Sequence, residues 1–383
     1  MVRVLVLCEH ASLNGGERSL LAVVDRLAEM GFSLRIAAPP EGPLAAAIRG
    51  TAAELVPLAW NVDDPHRRLE VLRERLRACL RQEKPDLLHA NSLAMSRVSG
   101  PVAKSLELAS VGHLRDMMRL SRAAAQDTNC HTRLIAVSEA VCQWYIEAGI
   151  DARRIGVVYN GVDLQRFRPR PATGFLHRER RLPPESRLIV SVGQIILRKG
   201  FDVLAAAARL ILANHDDVHL LLVGARFSAK SETVAYEAAL HRAAAERPLA
   251  GHFHFLGVRD DLHDVLAEAT LLAHPARQEP LGRVLLEAAA VGVPVVATAV
   301  GGTPEIFPAD LRAALLVPAN DAPALAAAIQ QLLANDRLRA QQAAAARQIV
   351  ANRFTIEGTA RELAAQYRLA LLTRRDPASW SLR

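Results

Sequence analysis

Four stretches of this chain carry residue types that could do chemistry. In QEPLGRVLLEAAAVGVPVVATAVGGTPEI, Glu279 and Glu287 stand eight apart with Gly282 between them, in a segment otherwise built for burial. The strand-like TLLAHPA precedes it, a helix is expected from about Gly282, and Gly292 and Pro294 stop that helix. Glu279 is therefore expected at a strand's carboxyl end and Glu287 about one turn inside the helix. Gly282, lacking a β-carbon, would let a ligand approach the amides of the first turn. Glu287 could equally pair with Arg283 at i, i+4, worth about 0.2–0.5 kcal/mol. The spacing alone leaves both readings open.

In VGQIILRKGFDVL, Arg198 and Lys199 stand just ahead of a helix, where they could neutralise an anion or simply be solvated. ASLNGGERSLL places Gly15 and Gly16 between a strand and a helix, a close-approach point or just a tight turn. His113, in ASVGHLRDM at the end of another strand, could donate or accept a hydrogen bond at neutral pH or serve the core. No two glycines stand two apart, so the G-x-G-x-x-G fingerprint is missing, as is a GK[ST] phosphate loop. Dehydrogenase and P-loop kinase chemistry lose their support. There is no D-x-D pair to anchor a metal-bridged diphosphate. Such a ligand would have to be held by side-chain cations and helix N-termini, whose N–H groups and dipole bind anions without metal.

The elements that must position these residues alternate strand and helix: VRVLVL at 2–7, a helix from Glu17 to Met30, SLRIAA at 33–38, DLLHA at 86–90, RLIAV at 133–137 and RIGVVY at 154–159. The rhythm stops at 166–187, a stretch rich in proline and arginine without apolar period, read as a linker, and resumes with RLIVSVG at 187–193. VHLLLVG, HFHFLG, TLLAHPA and VPVVAT follow, then Ala-rich helix. Two α/β domains with mostly parallel sheets are expected: 1–168, a linker 169–186, 187–354, and a final helix 355–383 packing back on the first domain. A ligand should lie at the carboxyl ends of the strands.

With 383 residues, 51% apolar and 23% charged, the chain can bury two large cores. Its net charge of +7 is scattered, which suits an anionic small ligand or membrane surface better than nucleic acid. The basic stretch from Arg67 to Lys84 carries a stripe of Leu69, Leu72, Leu76 and Leu80, readable as a core-facing helix or as a membrane-surface contact. Four cysteines without close or metal-ligand spacing, no export-signal pattern and no apolar run of about 20 residues point to a cytoplasmic protein, at most peripheral to a membrane.

Together these motifs resemble the retaining glycosyltransferases of family 4, which have the two-domain GT-B fold: two Rossmann-like domains facing across a cleft. The segment from Glu279 is similar to the family's E-x7-E signature. IAVSEAV at 135–141 with VVYNGVDLQRFRP at 157–169 resembles a second hallmark and LRKGFDVL a third. The resemblance implies that Glu279 contacts donor-sugar hydroxyls and Glu287 the ribose. It gives Lys199 the leaving diphosphate, with the amides near Gly282 and Arg283. Gly16, beside Gly15, would face the phosphate and acceptor, His113 the sugar, and Gly257, Val258 and Arg259 the base. It implies no metal and no cofactor beyond the nucleotide-sugar substrate. One departure stands at Gln194, where the family often has arginine; Arg198 is the available substitute.

The expected activity is transfer of a hexose from a nucleoside-diphosphate sugar, a UDP-sugar in preference to GDP-mannose, to a hydroxyl of a carbohydrate or lipid-linked acceptor. A non-catalytic nucleotide-sugar-binding subunit and a nucleotide-sugar epimerase of related fold are the alternatives. On this reading Lys199→Ala should cut turnover far more than stability.

Overall fold

The protein is described by a computed structural model covering residues 1–62 and 67–375. The last residues of the expected terminal segment, 376–383, lie outside the described residues. The chain divides into two compact units: Met1–Gly161 together with the chain from Ile356 on, and Val162–Thr355.

The first unit is built on seven strands, β1 (Val2–Leu7), β2 (Phe32–Ala38), β3 (Glu54–Pro57), β4 (Leu87–Ala90), β5 (Ala109–Leu114), β6 (Arg133–Ala136) and β7 (Ile155–Val157). They pair in parallel in the order β3-β2-β1-β4-β5-β6-β7. Four consecutive residues of β1, Val4 to Leu7, are buried, because helices cover both faces of a parallel sheet and leave no polar side. The winding reverses between β1 and β4, which makes their carboxyl ends the switch point where such sheets bind ligands.

Helix Arg68–Glu83 turns Leu72, Leu76 and Leu80 into a core cluster with Leu5, Leu7 and Leu88, so its leucine stripe faces the sheet. Helix Ile356–Arg375 buries Ala360, Leu363, Ala364 and Tyr367 at helical spacing against Val111 and Ile135. Tyr367 Oη lies 2.7 Å from His89 Nδ1, and its ring meets Phe32 edge-on at 5.3 Å.

Burial, reinforced by Arg115 and His131, pushes the His89 imidazole down from 6.5 to about 3; burial takes His131 to about 4, against a carbonyl contact from Ser96. These folded-state values lie below the unfolded one, so as pH falls the unfolded chain takes up protons that the native state refuses. The stability these two histidines contribute is therefore fully present above about pH 6.5 and drains away between there and about pH 3–4, at up to about 1.4 kcal/mol per pH unit for each. Urea midpoints measured at pH 7, 6 and 5 should fall steadily; an unchanged midpoint down to pH 5 would contradict this.

The second unit has six parallel strands, β8 (Arg187–Val192), β9 (Val218–Val223), β10 (Phe253–Gly257), β11 (Leu271–His274), β12 (Val295–Thr298) and β13 (Leu315–Val317), ordered β10-β9-β8-β11-β12-β13. Its switch point lies between β8 and β11. Residues 169–186, expected as a linker, fall wholly inside this unit. The buried Glu268 carboxylate explains it, accepting from the amides of Thr173 and Gly174 at 2.6–3.0 Å and from the Thr173 hydroxyl at 2.9 Å. A short helix, Phe175–Arg180, then buries Leu176. The boundary consequently stands at Gly161/Val162 rather than after residue 168.

Candidate active site

Lys199 and Glu279 approach the second unit's switch point from opposite sides. After β8 the chain reaches a single 3-10 turn, Leu197–Lys199; after β11 it runs through 275–282 to helix Arg283–Val291. Lys199 Nζ lies 2.5 Å from Glu279 Oε2, and His274 Nε2 lies 2.8 Å from the same oxygen. Their side chains are only 12%, 8% and 2% exposed. Burial by itself would raise the Glu279 carboxyl, but the Lys199 charge and the His274 hydrogen bond overcome it and hold the group well below the usual carboxylate range. Burial lowers the His274 imidazole, with Lys199 and Arg198 adding to the effect and Glu279 opposing it.

The two segments are clamped together. Arg277 Nη1 and Nη2 bond both carboxylate oxygens of Asp202 at 2.7 and 2.6 Å, and Nη1 also reaches the Leu197 carbonyl at 2.8 Å. The Arg277 amide donates to the Arg198 carbonyl at 2.8 Å. Behind Glu279, the Gly302 amide donates to its carbonyl at 3.0 Å, and a β-carbon on Gly301, whose φ is +52°, would fall 1.9 Å from that carbonyl oxygen. Gly301→Ala should therefore cost more than about 2 kcal/mol and displace Glu279. Thermal melting and turnover measure it together; a variant with parent-like Tm would refute the contact.

Gly282 precedes helix Arg283–Val291 with φ +106°, a conformation that side chains resist, and its carbonyl accepts the Leu285 and Leu286 amides at 3.0 and 3.3 Å. Glu287 is buried inside the helix, and Arg283 Nη2 bonds its Oε1 at 2.9 Å. The i, i+4 pair that spacing left open is thus formed. Gly257 ends β10 with φ +67°, and Val258 beyond it is exposed. Arg259 is committed to its own unit, bonding both oxygens of Asp261 at 2.8 and 2.7 Å and the Glu179 carboxylate at 3.0–3.1 Å.

In the first unit, helix Gly15–Glu29 begins at the glycine pair, and the Glu17 carboxylate accepts the Asn14 amide at 3.1 Å. A β-carbon on Gly16 would meet Arg115 Cδ at 3.1 Å. Arg115 itself bonds Asn91 Oδ1 at 2.8 Å and Asn160 Oδ1 at 3.0 Å, joining the ends of β4, β5 and β7. His113 is buried and stacked on His89 at 5.5 Å, and neither of its ring nitrogens has a partner among the described residues. Burial, with Arg115 and His89, holds His113 neutral.

Sequence reasoning singled out Lys199, Glu279 and His113; it did not single out His274, which meets Glu279, Arg277, which clamps the two segments, or Asn91 and Arg115, which stand beside Gly16. A polar residue closing an apolar strand, as His274 closes TLLAH, was the available signal. Among the described residues no three His, Cys, Asp or Glu side chains are grouped to hold a metal ion. No described helix is long and apolar enough to cross a membrane.

Two units with doubly wound parallel sheets define the GT-B fold, as the motifs implied. The structure superposes on HepE of Anabaena, solved with UDP and glucose, at TM-score 0.83 over 95% of this chain and 99% of that one, with 22% identity, a likeness of fold. Residues 13–166 match the family described as Glycosyltransferase Family 4 and residues 173–349 that described as Glycosyl transferases group 1. The chain belongs to this glycosyltransferase family. It is 33% identical over 231 residues to the D-inositol 3-phosphate glycosyltransferase of Corynebacterium urealyticum, covering 58% of this chain and 53% of that protein. It is 36% identical over 212 residues to the phosphatidyl-myo-inositol mannosyltransferase of Mycolicibacterium smegmatis, covering 54% and 49%. The chain thus spans about half the length of the curated relatives it matches.

Proposed function

We propose that the protein transfers a hexose from a nucleoside-diphosphate sugar to a hydroxyl acceptor, with retention of anomeric configuration and without a metal. The observation that carries this is the buried Lys199–Glu279–His274 cluster at the second sheet's switch point, beside the N-terminus of helix Arg283–Val291. A cation and helix amides in one low-dielectric site suit a departing diphosphate, and each such donor can contribute about 3–4 kcal/mol to the barrier reduction. Glu279 accepts from sugar hydroxyls. Glu287, fixed by Arg283, is assigned to the ribose, and the backbone of Gly257, Val258 and Arg259 to the base. Arg198 supports Lys199 where Gln194 supplies no charge.

No side chain is assigned as nucleophile. The acceptor oxygen bonds to the anomeric carbon as the carbon–phosphate-oxygen bond breaks, and the leaving phosphate takes the acceptor's proton on the same face. For the first unit we assign acceptor recognition to the Gly15–Gly16 turn and contact with sugar hydroxyls to His113.

Thermal melting with UDP-, GDP- and ADP-sugars tests the reading, since a ligand that binds only the native state raises Tm by mass action. A UDP-sugar is expected to give the largest rise, undiminished by EDTA, and product NMR should show retained configuration. No rise with any nucleotide sugar, or an isolated chain that binds but never hydrolyses or transfers, would overturn it.

A further inference from the structure

We infer that His274 is a positioning residue: it holds Glu279 by one carboxylate oxygen so that Lys199 can turn to a diphosphate while the carboxylate stays aimed at the sugar. The inference rests on the transferase reading above. Both hydrogen bonds to the Glu279 carboxylate converge on Oε2, 2.5 Å from Lys199 Nζ and 2.8 Å from His274 Nε2, and among the described residues none goes to Oε1. An ionised carboxylate has no proton to give, so Nε2 must be the donor, which fixes the neutral ring's tautomer.

The two donors differ in mobility. Lys199 sits on a single 3-10 turn and reaches Glu279 through a flexible four-carbon stem. His274 is the last residue of β11, 1% exposed, its backbone paired in register with Ala297 of β12. A diphosphate arriving beside Lys199 competes with Glu279 for one ammonium. Without a second donor, the buried carboxylate would lose its only partner and its orientation at the moment the sugar has to be gripped. With His274 on Oε2, Lys199 can be shared, and Oε1 remains presented to a hydroxyl. A group on a strand therefore orients a group on a loop, which keeps a site within the narrow tolerance that chemistry requires.

The test compares the unmodified chain with His274→Ala and His274→Gln, whose amide nitrogen can still donate at similar reach. The measurements are kcat/KM for the best nucleotide sugar, Kd for the free nucleoside diphosphate, and Tm. His274→Ala should lose about 10–100-fold in kcat/KM, the scale of a misplaced group, while Kd for the diphosphate stays within about twofold. His274→Gln should recover most of the loss. A purely structural histidine would instead weaken diphosphate and nucleotide sugar in proportion to the fall in Tm. The inference is overturned if His274→Ala keeps its kcat/KM within about twofold, or if both ligands weaken together. An unmodified chain that turns over no nucleotide sugar would overturn the transferase reading itself, and this inference with it.

Discussion

Lys199→Ala is expected to lower kcat by about 10²–10³, the scale of removing one preorganised donor from a departing anion. The structure adds a second effect that residue types did not suggest. Because Lys199 is 12% exposed and its partner Glu279 only 8%, deleting the ammonium strands a carboxylate in the interior. Breaking one side of such a pair costs about 3–5 kcal/mol. The expectation of a turnover loss with little change in stability therefore gives way to a loss of both. The two can be separated by adding Glu279→Gln to the Lys199→Ala chain, which removes the stranded charge while keeping the side chain's shape. Stability by urea denaturation should largely return and turnover should not. Unchanged turnover in Lys199→Ala would remove the lysine from the chemistry, and a double variant no more stable than the single one would remove the ion pair from the explanation.

Tyr367→Ala should be the most destabilising of the core changes considered, by about 3–5 kcal/mol. Tyr367 is fully buried, fills space between Phe32 and His89, and anchors helix Ile356–Arg375 to the first sheet. Tyr367→Phe isolates the polar part: it leaves His89 Nδ1 without its 2.7 Å partner and should cost about 1–3 kcal/mol. Urea unfolding of both variants, with proteolysis reporting release of the terminal helix, measures the difference. A loss below about 1 kcal/mol for the alanine variant would mean that the helix is held elsewhere.

The alternation of strands and helices was legible because apolar runs and glycine or proline stops are local signals. VRVLVL is β1, and the helix expected from about Gly282 to Gly292 is helix Arg283–Val291. The placement of Glu279 at the end of a strand followed from the same punctuation. What stayed hidden depends on contacts between distant parts of the chain. Lys199 meets Glu279 across 80 positions and Arg277 meets Asp202 across 75, so no window of sequence shows either pair. The i, i+4 spacing of Arg283 and Glu287 is compatible with an ion pair and with a ligand contact alike, and only coordinates reveal that the pair is made. The stretch 169–186 reads as a linker because its order comes from hydrogen bonds to the distant Glu268 rather than from an apolar period.

The first unit is discontinuous, with Tyr367 and its helix returning to a sheet whose last strand, β7, ends at Val157. During synthesis the seven strands emerge early, but the helix that covers Val111 and Ile135 arrives only after the whole second unit has been made. At about 5–20 residues per second, the intervening stretch of roughly two hundred residues takes on the order of 10–40 s. Through that interval helix Gly15–Glu29 already covers part of that apolar face, but the region around Val111 and Ile135 lacks its permanent cover, while the contiguous second unit can fold as it emerges. The uncovered region gives a chaperone its natural time and place to act on the ribosome.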